Sequence, residues 1–106
     1  MVRSEKRPEA IRLDLNNPVF QRQLFALEKA QQLNVLATLR KLSNRSWQQL
    51  YLDRGLKWEL IYSRTGLHGG RLHSLRISKG FRAVAYRDEG WMRILSLHGD
   101  HDSAYG

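Results

Sequence analysis

The chain has 106 residues, 42% of them apolar, and no cysteine. That composition supports one modest core and a single domain. It excludes a disulfide framework and every cysteine-ligated zinc or iron–sulfur site. Eighteen Lys+Arg against 10 Asp+Glu give a net charge of +8, and 13 of the eighteen are arginine. Arginine forks onto phosphate oxygens and stacks on bases, which suits RNA; nucleic-acid or ribosome contact is the expected use of this surface, against a basic surface with no specific partner.

Met1 to Ala10 carries charge but no apolar stretch, so it reads as a flexible basic tail rather than a secretion leader. Residues 11–106 then form the single domain. No apolar run approaches the length that spans a bilayer, which predicts a cytoplasmic protein with no membrane partner.

Ile11 to Leu15 alternates apolar and polar residues and predicts a short strand. Asn17 as N-cap and Pro18 at the first helical position predict a helix. Phe20, Leu24 and Leu27 mark its apolar face, and it is expected to reach about Gln32, with Asn34 as the break. Val35, Leu36, Leu39 and Leu42 form a second stripe that stops near Ser43-Asn44. Ser46 caps a third helix carrying Trp47, Leu50 and Tyr51, and Gly55 ends it. Leu56 to Ile61 fits either a helical turn or a short strand; the turn is the reading taken.

After Gly69-Gly70 the period changes to two. Arg71 to Ser78, Phe81 to Arg87 and Trp91 to His98 read as three strands, separated by turns at Lys79-Gly80 and Asp88-Glu89-Gly90. The expected fold is therefore α+β: an N-terminal strand and two to three helices packed on a small, curved antiparallel sheet. Alternation puts His73, Leu75 and Ile77 on the helix side and Leu72, Ser74, Arg76 and Ser78 on the other. Arg82, at the start of the next strand, joins Arg76 there, and Arg93 adds a third charge.

Two arginines near one strand end suit a phosphate seat, although strand arginines also pair with acids across a sheet. His101 and Tyr105 are four residues apart near the C-terminus. The imidazole titrates near neutrality, and the phenol can donate a hydrogen bond or stack on a base. The plainer alternative is a packed tyrosine and a solvated histidine. His98-x-x-His101 with two aspartates offers a thin ligand set, and no metal or other cofactor is expected. Trp47, Trp58 and Trp91 read as core, and Glu59 as a surface carboxylate before a general base.

The run Leu72-x-x-Leu75-Arg76-Ile77-Ser78-Lys79-Gly80-Phe81-Arg82-Ala83-Val84, followed by a hairpin and His101-x-x-x-Tyr105, resembles the RelE/ParE superfamily of bacterial toxin–antitoxin toxins. The likeness is carried by residues 71 to 105. Over residues 11 to 62 it rests on the strand–helix–helix order alone.

The resemblance implies a ribosome-dependent endoribonuclease that cuts mRNA in the A site, with no metal. It implies that Arg82 stabilises the charged phosphorane and that Arg76 binds phosphate or tunes its neighbours. Tyr105 would stack on or orient the nucleotide, and His101 would act as acid or base, with His98 as a second choice. Arg71, Lys79, Arg93 and His98 complete the RNA-binding set. The implied partners are a cognate antitoxin, in a hetero-oligomeric complex, and the ribosome with its mRNA. Some members carry two lysines where this chain has Ser74 and Arg76, and others a glutamate base for which only Glu59 offers itself. A gyrase inhibitor or a silent binder on the same fold stays open as an alternative.

Overall fold

The computed structural model describes residues 8–65 and 71–99, the side chains of 62–65 apart. The elements are β1 (Arg12–Asp14), α1 (Pro18–Ala26), α2 (Lys29–Ser43), α3 (Trp47–Leu52), β2 (Glu59–Thr65), β3 (Arg71–Ser78), β4 (Phe81–Asp88) and β5 (Trp91–His98). The strands form one five-stranded sheet in the order β1-β5-β4-β3-β2. The α+β class stands. The sheet is mixed, not wholly antiparallel, because β1 runs parallel to β5.

Asn17 caps α1 as expected, its side-chain oxygen accepting from Val19 N and Phe20 N, with Pro18 next in line. The helix is shorter than its apolar stripe suggests. Leu27 and Glu28 turn extended, and Gln32 Nε2 donates to Leu24 O at 3.0 Å and to Phe25 O at 3.4 Å, satisfying carbonyls that α1 leaves open. The break therefore falls at Leu27-Glu28, and Asn34 lies within α2.

Ser46 and Gln49 form a reciprocal capping box at α3: Gln49 N donates to Ser46 Oγ at 3.1 Å and Ser46 N to Gln49 Oε1 at 2.9 Å. Ser46→Ala is expected to cost about 1 kcal/mol, read as a lowered urea midpoint at unchanged slope. The helix ends before Gly55. The Asp53 carboxylate accepts from Gly55 N and Leu56 N and pairs with Lys41, which outweighs the effect of burial and lowers its pKa.

Two expectations change here. The Leu56–Ile61 stretch is strand from Glu59 onward, because Glu59 and Leu60 pair with Ser74 and His73 of β3. The predicted tail is tied down at its end: Trp47 N donates to Glu9 O at 2.9 Å, and Ala10 bridges Ser46.

The main core lies between the helices and one sheet face. Phe20, Val35, Leu39, Leu42, Trp47 and Leu50 meet Leu75, Phe81, Ala83, Ala85, Met92, Ile94 and Leu97. Small Ala83 and Ala85 sit at its centre on β4. On the opposite face Ile61, Leu72 and Val84 form a second, smaller buried cluster, with Tyr86 and Leu95 against it. That face is not the polar one that alternation alone suggests.

Arg93 joins β1 to the hairpin. It donates to Asp14 at 2.6 Å and to Asp88 at 3.0 Å. The Arg93 hydrogen bond, aided by Asn16 N, holds the Asp14 carboxyl below its ordinary value of 3.8 despite partial burial. A carboxylate with a depressed folded pKa contributes stability above its unfolded value and loses it as pH falls through the folded one. The urea midpoint is therefore expected to drop progressively as pH falls below about 5 and on through the lowered folded value. Asp14→Asn should flatten that limb, and an identical acid limb in the variant would contradict the assignment.

Candidate phosphate-binding face

Register brings the sequence-nominated cations together. Arg76 of β3 lies directly opposite Arg82 of β4, and Arg82 directly opposite His98 of β5. Directly opposed residues share a face, so the three side chains form one row across the sheet, away from the helices. The next row is Glu59, Ser74, Val84 and Ser96, from β2 to β5. Glu59 is thereby placed diagonally from Arg76, at a backbone spacing of about 7–8 Å. Around Ser74 and Val84 this face therefore carries two guanidiniums and an imidazole in one row and a carboxylate in the next, with β5 and β2 about 14 Å apart.

Two β-bulges flank this row. One lies between Arg76 and Ser78, in the β3–β4 pairing, and the other in the β4–β5 pairing beside Val84 and Ala85. Bulges re-aim side chains and increase local twist, and they gather next to functional sites. The second one lets both Leu95 and Ser96 lie on the face away from the helices, while Ile94 and Leu97 stay in the main core. At β3 the last pairing with β2 is Ser74–Glu59, and Arg76 N instead donates to Leu56 O at 2.7 Å.

The ion pairs among the described residues are Lys41–Asp53, Arg87–Glu9, Arg93–Asp14 and Arg93–Asp88, and none includes Arg76 or Arg82. Arg82 Nη1 is buried and has no hydrogen-bond partner among the described residues. Like charges directly opposite destabilise a sheet, and an unpaired buried guanidinium nitrogen adds a desolvation cost. An anion bound between the two arginines would relieve both. On β5, Ser96 Oγ lies 2.8 Å from His98 Nε2.

The other nominated residues distribute differently. Arg93 shares this face but is clamped by two carboxylates, and its partner Tyr86 is four residues along β4 from Arg82, about 13 Å away. Lys79 is exposed in the β3–β4 turn, where Gly80 takes φ +73°. Arg71 is exposed at the far end of β3 and falls on the helix side by alternation. His101 and Tyr105 lie outside the described residues.

His73 belongs to the helix side too. It stacks on Trp58 at 4.4 Å with ring planes 4° apart. Burial lowers its pKa, with the Arg71 charge adding to the effect and the Arg71 backbone contact opposing it. Its role is structural. So is that of Arg87, which stacks 4.5 Å over Trp47 and donates to Tyr51 Oη at 2.9 Å. Among the described residues, no helix is long and apolar enough to cross a membrane.

Sequence reasoning missed Ser96 and undervalued Glu59. A strand reading of residues 59–65 would have put Glu59 on the face of Ile61. Ser96 carried no signal of its own. Comparison with protein families, with curated proteins and with solved structures gives no match for this chain.

Proposed function

We propose that the protein is a RelE-like toxin that cleaves mRNA on the ribosome. The observation that carries the reading is the directly opposed Arg76–Arg82 pair. It makes no ion pair among the described residues and is flanked by His98 on one side and, diagonally, by the Glu59 carboxylate on the other. Guanidiniums are suited to the equatorial oxygens of a phosphorane, where negative charge grows. A nearby imidazole or carboxylate supplies the proton transfer.

In this reading the 2′-hydroxyl oxygen attacks the adjacent phosphorus and its proton passes to a basic group at the site. The bond to the 5′-oxygen breaks, and that oxygen leaves with a proton. The products are a 2′,3′-cyclic phosphate and a 5′-hydroxyl. Arg82 neutralises the transition state and Arg76 seats the phosphate. His98 or Glu59 takes the proton, with His101 and Tyr105 as the further nominees of the sequence. The +8 charge provides sequence-independent attraction to ribosome and message.

The proposed antitoxin would meet apolar as well as basic surface, since Phe25, Leu33 and Leu36 stand exposed on α1 and α2. A translating extract with a gyrase supercoiling assay run in parallel separates the readings. The nuclease reading predicts broken messages with cyclic-phosphate ends and untouched supercoiling. Intact messages with blocked supercoiling would replace it with a gyrase inhibitor.

A further inference from the structure

We propose that Ser96 is a positioning residue for His98, holding the imidazole in the arginine row; the proposal rests on the reading of that row as the phosphate seat. The two side chains stand two residues apart on β5, on the same sheet face, with Ser96 Oγ 2.8 Å from His98 Nε2. Ser96 reaches this face at the β4–β5 bulge, directly opposite the buried Val84. His98 stands directly opposite Arg82, with Arg76 one strand further on. Among the described residues these are the cations of its row, and Glu59, three strands away on β2, is a carboxylate position in the neighbouring row.

The chemistry of the contact suits a group that takes and returns a proton. A serine hydroxyl donates to an unprotonated ring nitrogen, and by rotating its hydrogen it accepts from a protonated one. The same contact therefore persists in both protonation states of His98. It removes the ring's freedom to turn about its last torsion, where rotamers are otherwise broad. A held imidazole keeps its second edge in one direction, which is what a proton transfer at a fixed phosphate requires.

Imidazole ¹⁵N spectra of the full chain and cleavage kinetics across pH, measured on the wild type, Ser96→Ala and Ser96→Thr, test the proposal. Ser96→Ala is expected to move the His98 Nε2 resonance and the ring's tautomer ratio. It should also lower kcat about tenfold, the scale of one lost hydrogen bond, with KM unchanged. Ser96→Thr, which keeps the hydroxyl and suits a strand, should restore both. An unmoved His98 resonance in Ser96→Ala overturns the proposal whatever the kinetics. A moved resonance in a protein whose wild type cuts no RNA supports the positioning contact and sinks only the nuclease reading.

Discussion

Arg82→Ala is expected to lower mRNA cleavage by at least about a hundredfold, the scale of losing one donor to a developing oxyanion. In the proposed reaction the loss should appear in kcat, because the charge that Arg82 would meet grows only as the 2′-oxygen attacks. The variant should fold at least as well as the parent. It removes one of two directly opposed guanidiniums together with a buried nitrogen that lacks a partner among the described residues. Activity and stability therefore move in opposite directions, the pattern of a group held in place for function. A structural arginine would behave otherwise: removing Arg93 would strand Asp14 and Asp88 and weaken the fold. Parallel urea titrations of the two variants make the distinction. Unchanged cleavage by Arg82→Ala would take that residue out of the mechanism.

The largest effect on the fold is expected at Trp47. Its side chain is 1% exposed, and its indole Nε1 donates to Gly90 O at 3.1 Å. The ring meets Trp58 edge-on at 5.7 Å and carries the Arg87 guanidinium on its face. Trp47 N also holds Glu9 O, so α3, the N-terminal segment and the β4–β5 turn all converge on this residue. Trp47→Ala should cost about 3–5 kcal/mol, from lost burial and the cavity left behind. Leu52→Ala, at a side chain 82% exposed in the same helix, should stay within about 0.5 kcal/mol. Urea midpoints measure both, and comparable losses at the two sites would contradict this description of the core.

Much of the fold was legible because local signals and tertiary packing agree. Asn17-Pro18, Ser46 and the glycine turns are punctuation with a direct backbone cause, and the elements begin and end beside them. The α1–α2 break was not legible. Apolar spacing continues across Leu27-Glu28, and the gap is held by a side chain, Gln32, reaching back to carbonyls of α1. The β2 strand was missed because Leu56 to Ile61 fits both periods. Only pairing with β3 decides it.

The candidate site shows the same division. Arg76 and Arg82 were assigned to one face by alternation, and register sets them directly opposite. Alternation fails on β5, where a strict period of two would place Ser96 with Met92 and Ile94. The bulge breaks that period and turns Ser96 to the face of His98, and no residue type in the run announces a bulge. Arg93 was grouped with the site on charge alone. Asp14, its main partner, comes from 79 positions away in the chain.

The most direct test of the proposed phosphate seat uses programmed ribosomes with one defined codon in the A site, with message ends mapped by primer extension. Wild-type protein should cut within that codon, only when the ribosome is present, and Arg82→Ala should leave the message whole. Uncut message at several codons, from protein shown to be folded, would contradict the account and turn the arginine row into a binding surface for another partner.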